Sequence, residues 1–280
     1  MTTVHTPATG STAYSLGTTA REYERLRRQA QVWEPATELL LDRIDLPAGS
    51  RCLDAGSGPG VTMRQLARRV GPQGRVVGVD IDGTLGTLSL DRLRADGYRN
   101  CEFHRHDLLT EAAIPAGPYD VVYARLLLFH LPQRLAVLAK LWDAVAPGGC
   151  LVVQDYDLTS AGTMPTLDSV AAVGELILGA FTAAGCEVRA GVLLPRWFSE
   201  AGIGSPDGTE VAGRLDRLAE AALMFDAVSR SLLPVAVRHG LITEPDADAL
   251  LAHLHEDARA DPDRPTLWPL LLGAWKHKDL

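Results

Sequence analysis

Short apolar runs alternate with helix-like stretches through the middle of the chain. The runs have the length and residue types of strands, whereas the stretches between them repeat apolar residues at helical spacing. Because strands that alternate with helices form parallel sheets with helices on both faces, the pattern predicts an α/β fold. The predicted strands lie at 51–54, 75–80, 100–106, 119–124 and 150–155, and the predicted helices between them at 60–70, 85–96 and 134–145.

The pattern changes after Asp155, where longer apolar segments replace the alternation. Two further strands are predicted at 208–212 and 267–275. Pro269 would lie near a sheet edge or at the start of the last strand, because proline cannot donate to a strand ladder. Further helices are predicted at 167–184, 194–201, 215–239 and 245–258.

These patterns divide the chain into three segments. Residues 1–45 are predicted to form leader helices that close over a bound ligand, and residues 46–158 an α/β core. Residues 159–280 would complete the fold, with a helical lid at about 215–258 and a last strand at about 267–276. We expect the apolar residues of the lid to roof a pocket or to fill the core of the roof, including Leu223, Met224 and Phe225.

The composition is that of an ordinary globular protein, with 46% hydrophobic and 22% charged residues. A net charge of -8 argues against a general nucleic-acid binder, since phosphate contacts need clustered lysine and arginine. No segment has the length and apolarity of a membrane span, and the first residues lack the apolar run of a signal peptide. The expected location is therefore the cytoplasm, with no membrane partner.

The cysteines and histidines do not form a pattern that predicts a metal site. His104 and His106 alternate on a predicted strand and share one face, but no third ligand accompanies them. We expect one of them to be a strand histidine and the other to lie beside the ligand site. The four cysteines are far apart and form no CxxC pair, which is typical of reduced thiols: Cys52, Cys101, Cys150 and Cys186.

The most informative stretch is the glycine-rich loop at 54–60, which follows a predicted strand and opens a helix. Glycines permit positive φ and let backbone N–H groups approach a ligand, most often a nucleotide. Asp80 ends the next strand, where an acidic group can reach both hydroxyls of a ribose. Asp107 ends the third strand and adds a further polar group at the same edge.

Together these residues resemble class I methyltransferases that depend on S-adenosylmethionine (SAM), and the resemblance extends over about 51–155. It implies a Rossmann-like α/β fold with a mostly parallel seven-stranded sheet, helices on both faces and a helical cap. The spacing of the glycines differs from the nicotinamide fingerprint, which has two residues between its second and third glycines. The motifs occur in order as Asp54-x-Gly56-x-Gly58-x-Gly60, Val77-Gly78-Val79-Asp80, His106-Asp107-Leu108, Tyr119-Asp120-Val121-Val122 through Arg125 with His130-Leu131-Pro132, and Ala146-Pro147-Gly148-Gly149.

The resemblance also implies roles toward SAM. The three loop glycines would pack against its methionine part, where Asp54 would orient the loop and reach the amino group and Arg125 would face the same region. Asp80 would bridge the ribose hydroxyls, with Asp82 as the alternative acid. The residues implied to bind the cofactor in this core are Asp54, Gly56, Gly58, Gly60, Asp80, Ile81, Asp107, Leu108 and Arg125.

A weaker resemblance covers the N-terminal segment. Tyr14-x-Leu16-Gly17, followed by Glu24-Arg25-Leu26 and Gln29, is similar to the leader helix of small-molecule methyltransferases of the ubiquinone-biosynthesis type. It implies cofactor contacts from Tyr14, Arg25 and Gln29. Arg25 and Gln29 are four residues apart and share a helix face. The alternative is an exposed capping helix.

The acceptor side of the site is less defined by the sequence. The predicted catalytic residues are His130, Tyr14 and Asp155, with His130 preferred because an imidazole titrates near neutral pH. The alternative for His130 is a structural role, in which it caps the following helix or bonds a backbone carbonyl. The predicted acceptor contacts are Tyr156, Trp197, Met224 and Phe225.

The resulting hypothesis is a SAM-dependent methyltransferase that acts on a small molecule, such as an aromatic or secondary metabolite. The predicted partner is that small molecule and not nucleic acid, with a homodimer left open. Three alternatives stay open: a SAM-fold enzyme that does not methylate, a nicotinamide-dependent oxidoreductase, and a non-catalytic SAM-binding regulator.

Overall fold

Alternating strands and helices follow one another in the computed structural model, which describes residues 20–280. The strands are β1 (Arg51–Ala55), β2 (Arg75–Asp80), β3 (Cys101–Arg105), β4 (Tyr119–Arg125), β5 (Val145–Asp157), β6 (Gly162–Thr163), β7 (Gly208–Ala212), β8 (Leu215–Arg217), β9 (Pro265–Leu267) and β10 (Leu270–His277).

The helices surround these strands, and two short 3-10 turns lie at Leu128–His130 and Leu158–Ser160. Several helix starts carry a sequence signal: Pro35 lies in a first turn, and the side chain of Thr243 accepts from the N–H of Asp246. The helices are α1 (Ala20–Val32), α2 (Glu34–Arg43), α3 (Val61–Val70), α4 (Gly83–Ala95), α5 (Arg134–Asp143), α6 (Asp168–Ala183), α7 (Ala190–Glu200), α8 (Leu218–Arg238) and α9 (Glu244–Ala260).

Within the described range, seven strands form one sheet in the order β3-β2-β1-β4-β5-β10-β7. The first five run parallel, and β10 is antiparallel to both β5 and β7. The predicted mostly parallel seven-stranded sheet is therefore confirmed. Because β1 pairs with both β2 and β4, the strand order reverses there, and ligands of such sheets bind at the carboxyl ends beside that reversal.

Neighbouring residues of each central strand enter the core on opposite faces. In β4, Val121 packs with α2 and α3, whereas Val122 packs with α5 and α7. The same alternation holds for Cys52 and Leu53 in β1. This period of two places apolar side chains on both faces, as a sheet covered by helices on both sides requires.

The segment predicted as a lid differs from the prediction at the edges of its elements. Residues 215–217 form β8 and not the start of a helix, and α8 begins at Leu218. The predicted last strand is divided at Trp268 and Pro269 into β9 and β10. In the same described part of the chain, β6, β9 and β8 form a second, three-stranded sheet. The chain therefore enters α8 from β8 and returns from α9 to β9, which are neighbouring strands of this small sheet.

The four cysteines are free, and three of them are buried. No group of three or more His, Cys, Asp or Glu side chains suited to a metal occurs among residues 20–280. Helices in that range are also too short or too polar to cross a membrane.

Candidate active site

A cavity of about 640 Å³ opens at the carboxyl edge of the sheet, in the range of about 300–1,000 Å³ typical of small-molecule sites. Its polar end is lined by the loops after β1, β2 and β3 and by Arg125. Its apolar end is lined by residues within 126–131, by α6 and α8, and by Trp268. Side chains of α1 line it as well.

The glycine loop after β1 has the backbone that its sequence predicts. Gly56, Gly58 and Gly60 adopt φ values of +70°, +46° and +74°, a region that residues with a Cβ rarely enter. The N–H groups of Gly56 and Ser57 donate to the carbonyl of Val79 over 2.8 and 3.0 Å. The end of β2 therefore holds the loop in place.

Two glycines of the loop permit close packing. A Cβ at Gly56 would lie 2.9 Å from Cδ1 of Leu127, so this glycine lets the segment after β4 pack onto the loop. Gly60 is the residue before α3, and a Cβ there would lie 3.0 Å from Cβ of Ser89 on α4. Gly56 and Gly58 line the cavity, whereas Gly60 is not among the described lining residues. The structure thus places Gly60 at a helix contact and not at the predicted ligand contact.

Asp80, at the end of β2, lines the polar end and is held by backbone donors. The N–H of Gly58 donates to Oδ2 over 2.8 Å, and the N–H of Asp82 donates to Oδ1 over 2.9 Å. Burial raises the pKa of Asp80, and these donors oppose the shift. Asp82 caps α4 instead, since its Oδ1 accepts from the N–H groups of Thr84 and Leu85. The geometry favours Asp80 over Asp82 as the acid that faces a ligand.

Asp54 and Arg125 place opposite charges at the polar end. Burial raises the pKa of Asp54 to about 7, although Arg125 acts in the opposite direction. No described residue donates a hydrogen bond to Oδ2 of Asp54. Arg125 donates from Nη1 to the hydroxyl of Thr37 over 2.8 Å. A buried acid with an open acceptor position beside a guanidinium suits the ammonium and carboxylate of an amino-acid group.

The loops after β2 and β3 supply the outer part of the polar end. Ile81 lines it and is 48% exposed, which leaves an apolar surface for a flat ring. Leu108 and Asp107 also line it. Oδ1 of Asp107 accepts from the N–H of Leu109 over 2.9 Å, and Oδ2 accepts from the hydroxyl of Thr110 over 2.8 Å. Although desolvation acts to raise it, these donors lower the pKa of Asp107.

Helix α1 meets the cavity through two of its predicted residues. Arg25 donates from Nη1 to Oε1 of Gln29 over 2.9 Å, and Gln29 donates from Nε2 to the hydroxyl of Tyr156 over 3.2 Å. Burial raises the pKa of Tyr156 to about 12, so its hydroxyl stays protonated. All three residues line the cavity. Tyr14 lies outside the described residues.

His130 lines the apolar end and is packed among apolar and weakly polar neighbours. Its ring centroid lies 3.6 Å from that of Phe129, and Nδ1 lies 3.7 Å from Sγ of Cys186. Burial lowers the pKa of His130 to about 3, and Arg25 adds to the shift. Such a histidine is neutral near pH 7 and accepts a proton poorly, which weighs against the predicted role as a general base.

Asp155 supports the turn that carries His130. It is fully buried in β5 and is not among the described residues that line the cavity. Burial raises the pKa of Asp155 to about 7, and the N–H groups of Phe129, Tyr156 and Leu128 act in the opposite direction. This geometry fits a positioning role for Asp155 better than the predicted catalytic role, which stays a prediction.

The predicted acceptor contacts divide into two groups. Tyr156, Met224 and Phe225 line the cavity. Trp197 is not among the described lining residues, because it is buried in the core, where the guanidinium of Arg134 lies 5.1 Å from its ring centroid. Leu223 is 61% exposed and contributes neither to the roof nor to its core.

Several residues that line the cavity had no role predicted from the sequence. Ile177 and Phe181 on α6 form part of the apolar wall, and Trp268 lies between the two last strands. The apolar character of the segment 167–184 was the available signal, since a helix that is apolar on more than one side is buried on more than one side. The position of Trp268 depends on the division of the last strand, which the local sequence did not predict.

The two ends of the cavity suit two ligands. The polar end offers backbone N–H groups and acids for a charged nucleotide-like molecule, and the unpartnered buried atoms in the described structure include Oδ2 of Asp54, Oγ of Ser57 and Nε2 of His106. The apolar end offers an apolar surface for a second molecule. The arrangement can therefore hold two molecules next to each other, and the described residues of the apolar end include no well-placed base.

Several known proteins are similar to this chain. Residues 52–149 match the family described as a methyltransferase domain. A trans-aconitate 2-methyltransferase of Methylobacterium radiotolerans is 31% identical over 238 residues, which cover 84% of this chain and 76% of that protein. A 2-phytyl-1,4-naphtoquinone methyltransferase of Thermosynechococcus vestitus is 33% identical over 144 residues, which cover 48% and 59%. With other curated relatives, the chain spans only about half of their length, 51% and 54% in two of them.

Solved structures show the same fold. A candidate methyltransferase of Bacillus halodurans superposes with a TM-score of 0.58 at 12% identity, covering 87% of this chain and 98% of that one. The 4+2 cyclase SpnF superposes with a TM-score of 0.52 at 18% identity, covering 89% and 83%. At such identities the likeness concerns the fold alone.

Proposed function

Because this chain belongs to the class I SAM-dependent methyltransferases, we propose that it transfers the methyl group of SAM to a small, largely apolar acceptor, such as an aromatic or secondary metabolite. The observation that carries the proposal is a cavity with a polar end at the glycine loop and an apolar end under α6 and α8. The family assignment also decides against the nicotinamide-dependent alternative.

The polar end would hold SAM through the residues that the fold brings there. Asp54 and Arg125 would meet the ammonium and carboxylate groups, and Gly56 and Gly58 would let the methionine part lie against the loop. Asp80 would accept from the ribose hydroxyls. The remaining contacts would come from Ile81, Asp107 and Leu108 on the adenine and from Arg25 and Gln29 on α1.

When bound, SAM supplies a methyl group on a positively charged sulfonium, which an electron pair of the acceptor displaces in line. The protein contributes by holding the acceptor atom near attack distance and by excluding water. His130 would orient the acceptor as a neutral imidazole, since its low pKa prevents efficient proton uptake. Acceptors whose nucleophilic atom is already ionised or has a free lone pair fit such a site best.

The charge of the apolar end bears on the acceptor. Of the described residues that line this end and its junction with α1, the basic ones are Arg25 and the neutral His130. A tricarboxylate, as in the name of the Methylobacterium relative, would bury several negative charges against the one cation that the described residues place there, which is costly. We therefore favour an acceptor with one acidic or hydrogen-bonding group near Arg25, Gln29 and Tyr156 and an apolar body.

A screen with SAM and mass detection tests the proposal. The panel contains phenols, indoles, aromatic amines, aromatic carboxylates and trans-aconitate. We expect methylation of an apolar aromatic acceptor together with formation of S-adenosylhomocysteine. Methylation of trans-aconitate alone would contradict the proposed acceptor class.

Two variants on one helix sharpen the assignment of the acceptor end. Phe225→Ala removes a lining side chain and should lower kcat/KM for the acceptor by roughly tenfold to a hundredfold, with unchanged SAM affinity. Leu223→Ala is the matched control, since that side chain is mostly exposed on the same helix. If the two substitutions lower kcat/KM equally, the acceptor does not contact this wall of the cavity.

A reaction without methylation is the second candidate, because a cyclase shares the fold. Turnover of an acceptor without S-adenosylhomocysteine would favour it. Binding of SAM without turnover of any compound in the panel would instead favour a non-catalytic SAM-binding regulator.

A further inference from the structure

His106 lies at the polar end of the cavity and has a ring nitrogen that its neighbours do not satisfy. It follows β3 directly, where its N–H continues the ladder to the carbonyl of Asp80 over 2.9 Å. The residue is 3% exposed and lines the cavity. Its Nε2 has no hydrogen-bond partner among the described residues. A buried polar atom left without a partner costs free energy, so a ligand that supplies the partner gains affinity.

The other ring nitrogen fixes which kind of partner fits. Nδ1 of His106 lies 3.1 Å from Oε2 of Glu111, and the backbone N–H of Asp107 donates to Oε1 of the same carboxylate over 2.9 Å. That backbone donor is the main reason that the pKa of Glu111 lies below its ordinary value. Because a carboxylate only accepts, the neutral imidazole carries its proton on Nδ1. Nε2 is then an acceptor and needs a donor.

The order of strands along the sheet indicates which donor that is. The acids at the ends of β1, β2 and β3 follow one another across the edge, so a ligand with its amino-acid group at Asp54 and its ribose at Asp80 has its base at His106. The edge of adenine carries one donor, the 6-amino group, beside ring nitrogens that only accept. An acceptor at His106 therefore matches the amino group.

Asp107, the residue that the family resemblance implies for this role, uses part of its acceptor capacity inside the protein. Its two carboxylate oxygens accept from Leu109 and Thr110 and cap the turn after β3. We propose that His106, oriented by Glu111, is a side chain that recognises the 6-amino group of the cofactor's adenine. This inference rests on the proposed function, because it takes SAM as the ligand of the polar end.

Binding calorimetry tests the assignment without any turnover. The two probes are S-adenosylhomocysteine and its 6-deamino analogue, in which hydrogen replaces the amino group. The wild-type protein should prefer the amino compound by about tenfold to a hundredfold. His106→Phe should reduce this preference to within about threefold, mainly by weakening the amino compound. His106→Gln, which keeps an acceptor, should retain most of the preference.

Matched variants separate this role from general effects on the fold. His104→Phe changes a histidine of β3 that is not among the described cavity residues, and it should keep the wild-type preference. Glu111→Gln frees the tautomer of His106 and should lower the preference, with little change in melting temperature. A 6-oxo analogue, which places an acceptor at that position, should bind more weakly than the amino compound.

Three results overturn the inference. One is a folded His106→Phe protein that keeps the full preference, and another is a preference lost in Asp107→Ala but not in His106→Phe. The third is wild-type protein that binds the 6-oxo analogue more tightly than the amino compound, since Nε2 would then be a donor. Wild-type protein that binds neither S-adenosylhomocysteine nor SAM contradicts the proposed function itself.

Discussion

Gln29 on α1 donates a hydrogen bond from Nε2 to the hydroxyl of Tyr156 at the end of β5, over 3.2 Å. The bond joins residues 127 positions apart and connects the first described helix to the wall of the cavity. Arg25 extends the chain of contacts by donating to Gln29. These polar groups thus hold helix α1 against the cavity, at the point where the polar end of the cavity meets its apolar end.

Removal of either partner should therefore loosen α1. Gln29→Ala and Tyr156→Phe should each lower the free energy of unfolding by about 1 kcal/mol, and the double variant by less than the sum. Denaturant unfolding of the four proteins measures the coupling. A double-variant effect equal to the sum would show that the two side chains do not interact.

Gly58→Val should abolish measurable SAM binding. Gly58 has a φ of +46°, which is strained for a β-branched residue, and its open side faces the cavity. The free energy of unfolding should fall by roughly 1–3 kcal/mol, so the variant should remain folded at low temperature. Calorimetry with SAM and a circular dichroism spectrum check both points, and unchanged affinity in folded protein would refute the placement of the cofactor.

Asp80 and Asp82 should differ in what they affect. Asp80→Ala should weaken SAM by roughly tenfold to a hundredfold, because it removes an acceptor for the ribose and a partner of the Gly58 N–H. Asp82→Ala removes the cap of α4 and should cost about 1 kcal/mol of stability with a small change in affinity. The opposite pattern would move the ribose to Asp82.

The affinity for SAM should rise with pH between about pH 5.5 and about pH 7. Burial raises the pKa of Asp54 to about 7, so the empty site holds a proton there at lower pH, whereas an ammonium partner requires the carboxylate. Binding then releases a proton, and the affinity should fall by up to about tenfold for each pH unit below 7. Asp54→Asn should bind weakly at every pH and should lose this dependence. A wild-type affinity that is flat with pH contradicts the contact.

The raised pKa of Asp54 has the opposite effect on the stability of the ligand-free protein, which should fall as pH rises. The pKa of Asp54 in the folded state lies above its ordinary value of 3.8, so the folded state binds the proton more tightly than the unfolded chain. Its contribution to stability is therefore lost as pH rises from about 4 to about 7. Asp54→Asn should flatten this part of the melting-temperature profile.

His130→Gln should reduce turnover by less than about tenfold, since a histidine with a pKa of about 3 is a poor base at neutral pH. The acceptor KM should rise more than kcat falls, because the side chain orients the acceptor. A loss of kcat of about a hundredfold or more, with unchanged stability, would restore the role of general base.

The sequence predicted the cofactor end of the site better than the acceptor end. The loop with Gly56 and Gly58 and the acid Asp80 depend on short-range geometry, since a turn between a strand and a helix fixes them. Even there the pairing of Asp107 with Thr110 was not predicted, because a carboxylate's partners depend on the local turn.

The acceptor end depends on contacts between distant segments, which a single sequence does not specify. Trp197 was predicted to touch the acceptor, yet it packs in the core beside Arg134. Leu223 and Phe225 are two residues apart on α8, and only the packing of that helix on α6 decides which one faces inward. The burial of His130, and with it the loss of its basicity, has the same tertiary origin.

The small second sheet has a consequence for how acceptor preference can change. Arg217 and Pro265 are paired across β8 and β9, and the N–H of Leu218 donates to the carbonyl of Arg264 over 3.0 Å. The segment 218–264, which carries α8 and α9, therefore begins and ends at adjacent points of this sheet. Exchange of this segment for that of a relative would alter the wall that carries Met224 and Phe225. The glycine loop and its acids lie outside the exchanged segment, so acceptor choice can diverge between relatives while the methyl donor stays the same.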